Sequence, residues 1–149
     1  MKTLIQRVAR AEVHVGGASV ARIGRGALLF VAVERGDGPG EAETTARRIA
    51  ALRFFPDRTP MDRTLHDVGG ACLVVSQFTL AASLRKGNRP SFTGAEAPER
   101  AEPLYLQVAA ALRATGLVVE TGRFGADMQI ESVNDGPVTL LLEVPGDRG

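Results

Sequence analysis

The feature that most constrains the fold is the run from Leu73 to Phe78, preceded by Ala71-Cys72, which shows no polar alternation until Ser76. A strand with one solvated face alternates polar and apolar residues, whereas one without alternation is covered on both faces, as the central strands of parallel sheets are. The rest of the chain must therefore supply two covers. One is a helix over 98–115, where Ala101, Leu104, Tyr105, Val108, Ala111 and Leu112 share a face, Pro98 suits the first turn and Gly116 suits a left-handed cap. A second helix is expected after the turn Gly36-Asp37-Gly38-Pro39. There Ala42, Ala46, Ile49 and Ala50 fall at i, i+4, i+7 and i+8, with Arg47, Arg48 and Arg53 mostly off the stripe and the helix ending near Phe54-Phe55.

Strands account for most of the remainder. Residues 2–33 hold short β-branched runs broken by Gly16-Gly17, Gly24 and Gly26, with Val13 and Val15 alternating against Glu12 and His14, which predicts a β-meander. Further strands are expected near 117–121, 128–133 and 138–144. The order is then three strands, a helix, a strand, a helix and three strands. Two helices cover one face of a mixed sheet, and the leftover strands bury their apolar sides most simply against a second sheet, giving a three-layer α/β fold. A length of 149 residues with 44% hydrophobic and 23% charged residues suits one domain spanning 1–149, and no repeat or linker suggests another. Residues 56–70, rich in Pro, Asp, Arg and Gly, are expected to form a long loop of the kind that is often functional or mobile.

The formal net charge of +1 gives no general attraction to polyanions, so any nucleic-acid contact is expected to be local. Nearly all positive charge is arginine, with Lys2 and Lys86 the only lysines. The single cysteine, Cys72, has no partner for an internal disulfide and sits in the apolar run as a small core residue, which fits a reducing compartment. No run is long enough to span a bilayer, so a soluble, cytoplasmic protein is expected.

Four segments carry candidate chemistry. Ser76-Gln77-Phe78-Thr79 follows the apolar strand at its carboxyl end, where open α/β sheets place ligands, although a polar strand terminus without chemistry has the same composition. A hydroxyl nucleophile requires a base, and the chain offers only His14, on an early strand, and His66, in the long loop beside Asp67. There is no G-x-S-x-G elbow, and one Cys with two distant His gives no ligand cluster, so a Ser-His-Asp hydrolase and a zinc enzyme are both disfavoured and no cofactor or metal is expected. Arg123-Phe124-Gly125-Ala126-Asp127-Met128 passes for a loop, and Asn134-Asp135-Gly136-Pro137-Val138-Thr139 for a hairpin turn between two strands.

Taken together, these segments resemble the D-aminoacyl-tRNA deacylase family. The resemblance runs through Leu4-Ile5-Gln6-Arg7-Val8, Asp67-Val68-Gly69-Gly70, Val75-Ser76-Gln77-Phe78-Thr79-Leu80, Arg89-Pro90-Ser91-Phe92-Thr93-Gly94, Thr121-Gly122-Arg123-Phe124-Gly125-Ala126-Asp127-Met128 and Asn134-Asp135-Gly136-Pro137-Val138-Thr139. It departs from the family at Ser83 and Leu84, where Asp and Thr are more frequent, and gives His66 no role. The resemblance implies a homodimer that hydrolyses the ester of a D-amino acid or glycine on the 3′ end of tRNA. Its active site would form around Ser76, Gln77, Phe78 and Thr79, with Gly136 and Pro137 of the other chain entering as a Gly-cisPro unit that rejects L-amino acids. Phe124, Gly125 and Met128 would line the pocket for the terminal adenosine. The rival expectation is a nucleic-acid-binding protein of the same fold without hydrolytic activity.

Overall fold

A computed structural model describes residues 1–147. The elements are β1 (Lys2–Val15), β2 (Ala18–Ile23), β3 (Gly26–Ala32), α1 (Pro39–Ala51), β4 (Ala71–Ser76), α2 (Pro98–Ala114), β5 (Val118–Thr121) and β6 (Gln129–Glu143), with a 3-10 turn over Phe78–Ala81. The strand expected at 73–78 forms at Ala71–Ser76, since the chain beyond Ser76 turns into the 3-10 turn, and it is central, pairing in parallel with β3 on one side and β5 on the other. Its residues alternate between two cores. Cys72 and Val74 join Leu29, Val31, Ile49, Tyr105, Val108 and Leu112 beneath the helices. Leu73 and Val75 instead join Leu28, Val8, Ala11, Val13, Ala21 and Ile23 on the opposite face. Fully burying an aliphatic side chain of this size contributes roughly 1.5–3 kcal/mol, so the run stabilises both layers at once.

Two helices cover one face of a mixed sheet as expected, and what was expected as a second sheet is the continuation of that same sheet. All six strands are hydrogen-bonded into one sheet of order β2-β1-β3-β4-β5, with β6 pairing along the other edge of β1. The simple meander is not what forms. Strand β1 is long enough to take two partners in succession on the same edge: β3 pairs with Lys2–Val8 and β2 with Ala11–Val15. Beyond the shared half, β1 carries β2 over the back of β4.

The helices sit where the apolar stripes place them. Helix α1 buries Ala42, Thr45, Ala46 and Ile49, and Pro39 opens it. It stops at Ala51 rather than near Phe54, because Phe54 and Phe55 enter the core in an extended segment after the helix end. Helix α2 starts at Pro98 and is followed by Gly116 at φ 98°, as its sequence predicts. The loop at 56–70 is pinned rather than loose: Arg53 pairs with Asp62 and Arg63 with Asp57, each at 2.5 Å, and Phe55 bridges to Arg63.

The largest difference from expectation lies in β6. The segment Asn134–Thr139 is not a hairpin between two strands but an interruption within one strand that follows β1 throughout. Gln6 pairs with Thr139 and Val8 with Asn134, so Asp135, Gly136, Pro137 and Val138 all bulge out opposite Arg7. The Asn134 side chain closes this bulge, accepting from the Val138 N–H at 3.1 Å and donating to Thr139 Oγ1 at 2.9 Å.

Gly26 sits where β3 begins its pairing with β4, opposite Ala71. A Cβ there would fall on the Ala71 carbonyl oxygen, with the Ala71 nitrogen 2.7 Å away, and both neighbours are backbone that cannot step aside. Gly26→Ala is therefore expected to destabilise the protein by about 3 kcal/mol or more, read from urea denaturation, with Gly40→Ala, which meets nothing within 4 Å, as the control.

Candidate active site

Strand β4 ends because its ladder closes: the Gln77 N–H donates to the Val31 carbonyl at 2.8 Å, and the backbone then tightens into the 3-10 turn. The strand end opens into a cavity of about 590 Å³, within the range usual for small-molecule sites. Ser76, Gln77 and Phe78 line it from the strand end, and Phe124, Gly125 and Met128 from the segment before β6. Six of the residues singled out by sequence thus converge on one space.

Thr79 stands beside that group but does not line the cavity. It is exposed, and its Oγ1 accepts from Gln77 Nε2 at 2.5 Å. Gly136 and Pro137, joined by a cis peptide bond and both exposed on β6, also lie outside the lining of their own chain's cavity. Gly136 has φ 141°, and a Cβ on it would sit 2.8 Å from Val138 Cγ2 and 3.1 Å from Arg7 Nη2. Arg7, almost fully buried, holds this bulge in place. Its Nε donates to the Asp135 carbonyl at 2.9 Å while Nη1 donates to the Phe54 carbonyl at 2.8 Å, tying β6 to the extended segment that follows α1.

Sequence reasoning missed several parts of the cavity wall, Phe92 above all. Its ring meets that of Phe78 edge-on with centroids 5.1 Å apart, and the two are 40% and 54% exposed. An aromatic pair left this open at a cavity rim presents faces on which a planar ligand can stack. The signal was within reach, since Phe92 belongs to the segment Arg89–Gly94 that carries the family resemblance. Phe124 stacks inward on Tyr105 at 5.8 Å, and burial raises the Tyr105 phenol.

The chemistry available is limited. Glu96 is the only lining residue with an ionisable carboxylate, and it is engaged: Oε1 accepts from the Ala97 N–H at 2.8 Å and Oε2 lies 3.6 Å from Arg100 Nε. His66 sits elsewhere, 3.1 Å from Thr115 Oγ1 in a groove beside the two helices. His14 lies on β1, the early strand on which the sequence placed it. Pairing of β1 with β6 brings Glu131 beside it, so that its Nε2 lies 3.7 Å from Glu12 and 3.6 Å from Glu131. Hydrogen bonding from Ser19 holds the Glu12 carboxyl below its ordinary range, and Glu131 is exposed. The departures at Ser83 and Leu84 are local: Ser83 bridges to Ser91, and Leu84 is exposed.

A sequence model of the family described as D-Tyr-tRNA(Tyr) deacylase matches residues 4–143. The chain belongs to the D-aminoacyl-tRNA deacylase family. It is 60% identical over 144 residues to the D-aminoacyl-tRNA deacylase of Paracoccus denitrificans (strain Pd 1222), covering 96% of this chain and 97% of that one. It is 51% identical over 151 residues to the enzyme of that name from Magnetococcus marinus, with full coverage of both. Among solved structures, the c-Myc DNA Unwinding Element Binding Protein superposes with a TM-score of 0.92 at 40% identity, covering 98% of this chain and 100% of that one. A probable eukaryotic D-amino acid tRNA deacylase superposes at 0.83 with 16% identity over 96% and 98%, which speaks to the fold alone. The shared fold thus accounts for nearly the whole chain.

Two outcomes follow for residues flanking the site. Arg7→Ala strips two carbonyls of their charged donor, and at about 1–3 kcal/mol per unsatisfied buried group it should lower stability by roughly 2–4 kcal/mol in urea denaturation. Burial pushes the Cys72 thiol up to about 12, so the thiol stays protonated well above neutrality. At pH 8 the native protein should resist alkylation, and should react fully only in denaturant.

Proposed function

We propose that this protein hydrolyses the ester of D-aminoacyl-tRNA, and of glycine mischarged on tRNA(Ala), in the cytoplasm as part of translation quality control. Its relatives bear the name D-aminoacyl-tRNA deacylase at 50–60% identity over nearly their full length. The observation that carries the reading is a cavity sized for a nucleoside and its ester, rimmed by Phe78 and Phe92, whose one carboxylate is already occupied. Such a site binds and orients, but offers no side-chain base.

A cavity of this kind suits a substrate that assists its own hydrolysis. The aminoacyl ester has a neighbouring ribose 2′-hydroxyl that can activate a water, leaving the protein to position the ester and stabilise the oxyanion. The N–H groups of Phe78 and Thr79 open the 3-10 turn, where early N–H groups have no partner within the turn, and they are assigned the oxyanion. Ser76 and Gln77 orient the ester. Phe124, Gly125 and Met128 receive the terminal adenine, an unpaired base suited to stacking and backbone contacts.

Discrimination between the two hands falls to Gly136 and Pro137 of a second copy in a homodimer. Within one chain they lie outside the cavity, exposed on an edge strand that also exposes Val133 and Leu141. A two-fold interface would place each chain's bulge at its partner's cavity. There the carbonyls of Gly136 and Pro137 face the α-carbon, hold the ammonium group and leave no room where an L side chain would project. A D side chain points away, and glycine has none.

The 40% identical solved structure, whose name describes DNA binding, favours a second reading in which the same fold binds nucleic acid without hydrolysis. Deacylation of matched D-, L- and glycyl-tRNA by the pure protein separates the two. Release from the D- and glycyl forms with the L form intact is the expected result, and no release from any of them would leave the binding reading. Thr79→Ala should retain substantial activity, whereas a loss as large as deleting the site would restore a Thr79 nucleophile. A substrate ending in 2′-deoxyadenosine should be hydrolysed poorly.

A further inference from the structure

The chain carries no Asp or Glu between Asp67 and Glu96, yet within that stretch it places Arg85, Lys86 and Arg89 on one short loop. The loop's base is fixed. Ser83 and Ser91 exchange both backbone hydrogen bonds, at 2.8 and 3.0 Å, so residues 84–90 project from a closed two-residue ladder. Both stems lead into the cavity wall, one through the 3-10 turn that begins at Phe78 and the other through Phe92, whose rings touch. All three cations are exposed, and among the described residues none has a carboxylate partner, whereas Arg53, Arg63 and Arg100 do. Leu84, 74% exposed beside them, also has no packing that would explain the loop as a structural element.

We propose that this loop grips the phosphates of the RNA strand leading to the cavity, making Arg85, Lys86 and Arg89 positioning residues for the substrate's 3′ end. The inference rests on the deacylase reading for the nature of the strand. Its chemistry, unpaired cations on a protrusion rooted at an aromatic-rimmed pocket, is that of single-strand binding, where bases stack on rings and the backbone follows positive charge. Eight residue steps from Ser83 to Ser91, half outward and half back, let the loop project at most about 14 Å from its base. With a net charge of only +1, the molecule as a whole cannot supply this attraction, so a local device is required for salt-dependent binding.

The test measures the affinity of uncharged tRNA by fluorescence anisotropy across salt concentrations, for the full-length protein and for the triple variant Arg85→Ala, Lys86→Ala, Arg89→Ala. Three lost contacts at about 0.7 counterions each should flatten the slope of log affinity against log salt by about 2. The variant should therefore bind roughly tenfold more weakly in dilute salt and converge with the parent in concentrated salt. Arg85→Lys with Arg89→Lys, which keeps the charge, should retain the slope. In parallel, hydrolysis of D-aminoacyl-adenosine, which has no phosphates, should be unchanged in the triple variant while kcat/KM for D-aminoacyl-tRNA falls. An unchanged slope in the triple variant would overturn the proposal, as would an equal loss on the adenosine ester or equal tightness toward a duplex DNA of similar length. A parent that binds tRNA through this loop yet hydrolyses neither ester would remove the deacylase reading and leave the loop assignment standing.

Discussion

The parallel pairing of β3 with β4 is the contact on which the rest of the molecule depends. Both strands are buried on both faces, so every residue from Ala27 to Val31 and from Cys72 to Val75 contributes to one core or the other. The pairing requires a backbone at Gly26 thin enough to lie against Ala71. It also fixes where the ladder stops, because the Gln77 N–H reaching back to Val31 is its last bond. The strand end, and with it Ser76, Gln77 and Phe78, is therefore set by the core rather than by a surface loop. Sites built at the ends of buried strands are held more precisely than sites built on loops alone.

What the site lacks is as informative as what it holds. Its apolar wall and aromatic rim provide shape, while its polar groups are an amide, a hydroxyl, the first N–H groups of a tight turn and the Glu96 carboxylate, which is already engaged by Ala97 and Arg100. The amide, the hydroxyl and the N–H groups are hydrogen-bonding groups rather than titrating ones.

Much of this was legible in the sequence, for identifiable reasons. The run from Leu73 to Phe78 announced a doubly covered strand because burial on both faces erases alternation, and α2 was legible because Pro98, the apolar stripe and Gly116 agree. The cavity residues became legible only as a conjunction, since Ser76–Thr79 or Arg123–Met128 alone is indistinguishable from an ordinary strand end or loop. Pairing across β1 and β6 was hidden: Glu131 lies far from His14 in sequence, and only the register places them together. The meander was misjudged because local glycines mark where strands end but not which half of a long strand the next one joins.

The misreading of Asn134–Thr139 has a more general cause. A Gly-Pro pair between two apolar runs signals a reversal, because Pro withholds a donor and Gly permits the required angles. Here the chain continues instead, because the groups that a reversal would have paired locally are met from outside. Arg7 satisfies the Asp135 carbonyl, Asn134 takes the Val138 N–H, and β1 resumes pairing at Gln6. Strand β6 is also an edge, and a long straight edge with exposed Val133 and Leu141 would invite uncontrolled strand addition. A bulge interrupts that edge and turns Gly136 and Pro137 outward on a rigid support. The same interruption that obscures β6 in the sequence is therefore what breaks the edge ladder and leaves Gly136 and Pro137 exposed.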